Sequence, residues 1–401
     1  MKRRSFIKNV TVIGGGVMLL DPFSLHAEKN LKHPSYAELE HHVVEKVETV
    51  QFSYRWPRLV GRNSMRDVHG QHHKNFALKI YTDKGAMGWG LAGPERLKED
   101  PGIIGKKVSE LISPATGIHT GVSRKYDIAL YDLCGVILQQ PVYKLLGAKG
   151  TLQTPLYSGM IYLDELPADN HAGGMDMVFK NCEWDFNYGY RALKIKIGRS
   201  GKWYAHDEGL QKDIDVVNSI WSQYKNKNVQ LLVDANDAYS MQDVQTFLKG
   251  IADVPLYWLE EPFTENIEQA RVLKQWMNKN GFQKTYYADG EANPLHDVCM
   301  TLLKEKTLDV MLTDTMGYGF SNWIGLLKEL KAGGALASPH AWGDKLKTNY
   351  TAHLAAGIGG VCTVEGVTCL SDDIDYGNYQ LINGNIKVSD APGFGMKLLK
   401  H

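Results

Sequence analysis

Cysteine is scarce and unpatterned in this 401-residue chain: Cys134, Cys182, Cys299, Cys362 and Cys369 are odd in number, scattered, and lack any C-x-x-C spacing. That pattern indicates neither a disulfide framework nor a structural zinc site, and leaves each cysteine as a small core residue. Net charge is missing too. Forty-five basic and 45 acidic residues cancel, so there is no electrostatic footprint for nucleic acid and no polybasic patch for a membrane surface. Beyond the first thirty residues no apolar run is long enough to span a bilayer. What is present is 43% hydrophobic content over a length suited to one large domain and a smaller one. Small or metal-bound ligands are the expected class.

The first residues stand apart. "MKRRSFIKNVTVIGGGVMLL" joins an R-R-x-F-I-K start to a modest apolar run and a small-residue exit near Ala27, the arrangement of a twin-arginine export signal. Residues 1–27 are therefore set aside from the fold, and a periplasmic location is expected, with no membrane attachment once the signal is removed. Proteins exported by that route cross already folded, which agrees with a chain that needs no disulfides.

From residue 153 onward a rhythm repeats: a short apolar run, a polar residue at its end, an amphipathic stretch, then the next run. The runs are "TPLYSGM", "RALKIKIG", "VQLLVDAND", "PLYWLEEP", "TYYADGE", "LDVMLTD", "GALASPH" and "GVCTVEG". Eight apolar runs alternating with helices indicate parallel strands and a closed (β/α)8 barrel over residues 153–375, with an open doubly wound sheet as the alternative. Lys196, Asp234, Glu260, Glu291, Asp314, His340 and Glu365 end successive runs, 23 to 38 residues apart. A single acidic residue after a strand is usually a helix cap, but in a barrel the carboxyl ends of all strands meet at one mouth.

Residues 40–152 read as a separate α+β domain. "VETVQFSY" and "NFALKIYTDKGAMGWG" look like strands of an antiparallel meander turned at "DKG", followed by helix in "YDIALYDLCGVILQQPVYKLLGA". Pro141 opens a short second helix there and Gly147 ends it. Residues 376–401 carry an "NGN" turn and are expected to return to that domain.

Three carboxylates at one mouth, Asp234, Glu260 and Glu291, repel unless neutralised. An all-oxygen set from three strands suits Mg²⁺ rather than zinc. Lys194 and Lys196 lie on one flank, two apart in a strand and so on one face; a neighbouring cation would lower a lysine's pKa. Asp314 and His340 lie on the other flank, where a carboxylate would orient the imidazole. Glu261 points away from Glu260 and is free to pair with a neighbouring lysine. Two acid/base groups around a metal-held ligand suit removal of the proton α to a carboxylate. Glu365 is placed to stabilise the substrate carboxylate if protonated, or else is a structural carboxylate.

"KIKIG", "VDAND", "WLEEP", "DGE", "LTD", "SPH" and "VEG", with "DIALYDLCGVILQQPVYKLLGA" and "APGFGMKL", resemble the mandelate racemase branch of the enolase superfamily over residues 40–400. The resemblance implies an α/β fold, a modified (β/α)8 TIM barrel under an N-terminal α+β capping domain, and Mg²⁺ held by Asp234, Glu260 and Glu291. It implies Lys196 as one base, Lys194 as a holder of the carboxylate, and the Asp314–His340 dyad as the other base or the acid. Symmetric self-association is common among such relatives. The chain departs from the pattern at "DTMGYGF", where many relatives carry a basic residue and a glycine pair after the aspartate.

In that family the capping domain closes on the far end of the substrate. "SYRWPRLVGRNSMRDVHGQHH" gathers Arg55, Arg58, Arg62, Arg66, His69, His72 and His73 beside Trp56 in a loop-like stretch, suited to a polyhydroxylated or doubly acidic ligand. Arg62, Trp342, Tyr157 and Asn236 are the expected substrate contacts, with Tyr239 and Asp344 nearby. Dehydration of an acid sugar (an aldonate or aldarate) to a 2-keto-3-deoxy acid is the favoured outcome. Epimerisation or racemisation, cycloisomerisation, and noncatalytic capture of a sugar acid are the alternatives.

Overall fold

The computed structural model describes residues 36–399, apart from residues 94, 97, 100, 101, 169, 170 and 292; the export-signal reading lies outside them. Three strands, β1 (Val44–Val60), β2 (Gly70–Thr82) and β3 (Met87–Leu91), form an antiparallel sheet in the order β1-β2-β3. Helix α1 (Asp127–Ile137) packs on it, and Gly88 makes that contact possible: a Cβ there would lie 2.3 Å from the Leu133 backbone nitrogen. Much of the stretch expected as a loop is therefore strand. Its apolar residues Tyr54 and Trp56, in phase with Phe52 just before them, are buried and put it in the sheet.

Eight strands follow, each where an apolar run was expected: β4 (Gln153–Ile161), β5 (Ala192–Lys196), β6 (Gln230–Asp234), β7 (Leu256–Glu260), β8 (Tyr286–Asp289), β9 (Val310–Met311), β10 (Leu336–Ala337) and β11 (Val364–Gly366). From β4 to β10 each pairs parallel with the next in chain order. Strand β11 pairs parallel with β4, and Val361, just before it, bridges Ala337 of β10. The helices between are α2 (Met175–Tyr188), α3 (His206–Tyr224), α4 (Met241–Gly250), α5 (Ile267–Lys279), α6 (His296–Lys304), α7 (Phe320–Gly333) and α8 (Lys345–Ile358). Their starts are written locally: Ser240 and Asp243 form a reciprocal capping box, and Asn266 and Asp344 cap α5 and α8.

Strand periodicity sorts the side chains. In β5, Leu193 and Ile195 face out into an apolar layer with Val216, Val217 and Ile220 of α3, which sends Lys194 and Lys196 inward. Tyr157, Leu232, Trp258, Ala288, Val310 and Leu312 form an inner apolar cluster of the sheet. Among the described residues no helix is long and apolar enough to cross a membrane. All five cysteines are free, four of them buried.

The C-terminal segment divides. The "NGN" turn, with Asn383 and Gly384 at positive φ, joins β12 (Gln380–Ile382) to β13 (Asn385–Lys387), and β13 pairs antiparallel with β4 rather than with the β1–β3 sheet. The residues beyond it contact the N-terminal layer: the Phe394 N–H donates to Asp132 of α1 and the Trp89 indole donates to the Met396 carbonyl.

His353 of α8 ties these parts together. Its Nδ1 accepts from the Tyr143 N–H at 3.0 Å, so Nε2 carries the proton and donates to the Tyr379 hydroxyl at 2.7 Å, which donates to the Phe394 carbonyl. Burial drives its pKa down to about 3, against roughly 6.5 unfolded. Its contribution to stability is therefore complete above pH 6.5 and falls as pH drops towards 3, by at most about 1.4 kcal/mol per unit. Urea unfolding at pH 7 and pH 5 should show a wild-type loss from this group of about 2 kcal/mol, absent in His353→Gln; equal losses in both would contradict the assignment.

Candidate active site

Register brings the charges together. Lys196 of β5 pairs with Asp234 of β6, and Asp234 with Glu260 of β7, so three strands end on one row. Glu291 follows β8 by two residues, while Asp314 and His340 form a parallel bridge past β9 and β10. Asp234, Glu260 and Glu291 each offer an oxygen, all within 4.8 Å of one another.

Lys194 lies beneath this triad, 1% exposed, 2.7 Å from Glu260 Oε1, 3.1 Å from Glu365 Oε1 and 3.4 Å from Asp234 Oδ2. Lys196 donates to Asp234 Oδ2. Burial pulls both ammonium groups down, but Glu260 and Glu365 around Lys194, and Asp234 beside Lys196, raise both above their ordinary values. The lowering expected of a lysine beside a bound cation is a separate effect; the carboxylates by themselves act in the opposite direction. Burial works against the charge of Asp234 as well, yet the two lysines bring its pKa to about 2, while burial and the Asp234 charge push Glu260 well up. Like charges in one site split in this way.

At the other end His340 Nδ1 lies 2.9 Å from Asp314 Oδ2, and Nε2 lies 3.2 Å from Glu291 Oε1 and 3.5 Å from Glu365 Oε2. Asp314 Oδ1 accepts from the Met316 and Gly317 N–H groups and Oδ2 also accepts from Lys347 at 3.1 Å. The acidic group therefore sits far below the ordinary carboxylate range: burial opposes its charge, but Lys347 and His340 prevail. Glu365, too, is held below the ordinary carboxylate range by Lys194 and His340 against burial, as suits the structural carboxylate of the two readings. Gly159 leaves room for it, since a Cβ there would lie 2.5 Å from Glu365 Oε1.

Lys196, Glu291, His340, Glu365 and Asn236 line one cavity of about 380 Å³, with Trp342, Asp344, His69 and Arg66 on its walls. Residues 181–401 match the family model described as enolase C-terminal domain-like. The chain belongs to the mandelate racemase branch of the enolase superfamily. A galacturonate dehydratase from Geobacillus sp., solved with D-galacturonate and 5-keto-4-deoxy-D-galacturonate, superposes at TM-score 0.81 with 28% identity over 90% of this chain and 95% of that one. A variant of that enzyme was solved with Mg. Arabinonate dehydratase of Saccharolobus solfataricus is 22% identical over 80% of this chain and 87% of the relative. The 3,6-anhydro-alpha-L-galactonate cycloisomerase of Streptomyces coelicolor is 29% identical over only 40% of each chain. The chain is an enzyme of this superfamily, a lyase or an isomerase.

Within this enolase-superfamily site several expected contacts lie elsewhere. Arg62 is turned from the cavity: Nε donates to Asp67, Nη1 to the Pro167 carbonyl, and the guanidinium lies over Trp203. Tyr157 is buried below, its ring 5.3 Å from Lys194 Nζ, so neither it nor Lys194 reaches the cavity wall. The Tyr239 hydroxyl is taken by Asp213, and Arg58 by Asp185. Among the described residues Glu261 pairs with no lysine. At φ 40° it turns back, accepting from the Glu291 N–H at 3.0 Å and from Asn236 Nδ2 at 3.3 Å. Lys347 and Tyr162 are cavity residues that sequence reading missed. The signal for Tyr162 was its place directly after β4, and for Lys347 its place in the first turn of the helix that follows the dyad histidine.

A buried ion network holds the turn after Lys196. Arg199, 0% exposed, donates from Nη1 to the Lys196 carbonyl at 3.1 Å and to Asp213 at 2.8 Å, and from Nε and Nη2 to Glu165 at 2.8 and 2.7 Å. Asp213 also accepts the Gly198 and Arg199 N–H groups. Replacing Arg199 with Met leaves two buried carboxylates without their countercharge, and denaturant unfolding should show a loss of about 3–5 kcal/mol; a change under about 1 kcal/mol would contradict it.

Proposed function

We propose that the parallel sheet is a closed (β/α)8 barrel capped by the β1–β3 layer and that its mouth binds Mg²⁺ and dehydrates a hydroxylated sugar acid. The observation that carries this reading is the pair of acid/base groups, Lys196 and His340, lining one cavity at opposite ends of the carboxylate triad. The residues fit a divalent cation: the donors are all oxygen, and Glu291 Oε2 is buried with no hydrogen-bond partner. Bound there, Mg²⁺ would offset the negative charge that builds on the substrate carboxylate as its α-proton leaves.

This chain's residues supply the proton transfers. One of Lys196 and His340 removes the α-proton, and the electron pair forms the C=C bond as the β-hydroxyl leaves. The other protonates that hydroxyl, releasing water, and the enol ketonises to the 2-keto-3-deoxy acid. Asp314 holds the His340 tautomer. Lys194, out of reach of substrate, keeps Glu260 and Glu365 in place. Epimerisation and cycloisomerisation would use the same residues. Dehydration is favoured by a cavity lined with polar groups suited to hydroxyls, Asn63, His69, Asn75 and Asn236, and by the galacturonate dehydratase that superposes over 90% of this chain. The R-R-x-F-I-K start supports export to the periplasm.

The test is a panel of mono- and diacid sugars and uronates in D₂O with Mg²⁺, following keto acid formation and α-deuterium exchange. Keto acid should form from one substrate, and Lys196→Ala and His340→Asn should each cost at least about 10²–10⁴-fold. Exchange without keto acid would move the enzyme to the isomerases. Chelation should abolish turnover, and Glu260→Gln should abolish the Mg²⁺-induced rise in melting temperature seen in the wild type; a retained rise would overturn the metal assignment.

A further inference from the structure

His69 lies in the loop between β1 and β2 and reaches the cavity from the antiparallel layer. Its Nδ1 stands 2.7 Å from the Gly61 carbonyl oxygen. A carbonyl only accepts, so Nδ1 bears the proton and Nε2 presents a lone pair. Two rings fix the imidazole edge-on, Tyr162 at 4.8 Å and Trp342 at 5.0 Å between centroids, and both line the same cavity. No described residue hydrogen-bonds to Nε2, and it is not sealed within the protein like the buried, unpartnered Nε2 of His73. Burial lowers the pKa of His69 to about 4, and the Lys196 ammonium adds to the effect, so the ring is neutral at physiological pH.

We propose that His69 is a specificity residue: its Nε2 accepts a hydrogen bond from one hydroxyl of the substrate, and so selects a hydroxylated acid over its deoxy counterpart. The inference rests on the sugar-acid reading above and adds to it the group that reads a hydroxyl. A neutral acceptor is matched to a hydroxyl donor and offers nothing to a second carboxylate. The preorganised ring also loses little freedom on binding, because the Gly61 bond and the two aromatic edges already hold it.

Two variants separate the roles of the ring nitrogens. In His69→Asn the amide stands where Nδ1 was, keeping the Gly61 bond and removing the Nε2 acceptor; in His69→Gln the longer amide returns an acceptor to the Nε2 position. Calorimetric titration with D-galacturonate, D-galactonate, D-arabinonate and their monodeoxy derivatives, in the presence of Mg²⁺ and on a His340→Asn background that suppresses turnover (wild type then meaning wild type at position 69), reads binding without conversion of the ligand. For the wild type, removing one particular hydroxyl should weaken binding about tenfold or more. His69→Asn should bind the parent acid weaker by a similar factor and be indifferent to loss of that hydroxyl, with His69→Gln restoring much of both. On the native background, α-deuterium exchange measured against ligand concentration should show KM raised by a larger factor than kcat is lowered in His69→Asn, with His69→Gln restoring much of the KM. If His69→Asn binds the parent acid as the wild type does, or keeps the full penalty for every missing hydroxyl, the role of His69 is overturned while the sugar-acid reading stands. If the wild type binds and exchanges only acids without hydroxyls, both fall.

Discussion

Everything at the candidate site depends on charges held out of water. Lys194, Asp234, Glu260 and Glu365 are each at most 1% exposed, and removing ions from water costs several kcal/mol apiece unless partners and hydrogen bonds offset it. Here they do. Lys194 sits among three carboxylates, Trp258 donates its indole N–H to Glu260 Oε2, the Asn236 N–H meets Asp234 Oδ1, and the Ala341 N–H meets Glu365 Oε2. The cluster is tolerable only while all its members are present and in register, because a one-residue slip of a strand would turn its inward charges outward.

That requirement explains features some distance away. Glu261 adopts a backbone conformation at φ 40° that non-glycine residues seldom occupy, and in return it receives the Glu291 N–H and the Asn236 amide, fixing one member of the triad and a neighbour of another. The turn after Lys196 is pinned by Arg199 and Asp213, and the inner cluster of Tyr157, Leu232 and Trp258 fills the space below. Apolar residues hold the strands at their spacing, and the buried ions decide which register is kept.

Much of the fold was legible in the sequence because both periodicities were clear: eight apolar runs with a polar residue at or just past the end, separated by amphipathic stretches, became eight strands in parallel order. The triad and the dyad were legible for the same reason, since the ends of parallel strands in register gather along one edge of the sheet. The antiparallel layer was read less well. Its arginines looked alike as a cluster, but Arg58 is paired with Asp185 and Arg62 with Asp67, leaving Arg66 at the cavity. The C-terminal hairpin was recognised from "NGN", yet its docking on β4 depended on a long-range pairing that no local pattern records.

Alternation and spacing in the sequence by themselves determined which residues would be strand, which would face inward, and which charges would gather at one end, because these follow from backbone geometry alone. Only the tertiary structure decided what each charge does. Lys194 and Lys196 are chemically identical and two residues apart, but one is enclosed by carboxylates and the other opens on the cavity. His69 became a lone-pair acceptor only because the Gly61 carbonyl came to lie against its Nδ1. Protonation, tautomer and access are set by the partner across a contact, and contacts are made in space rather than along the chain.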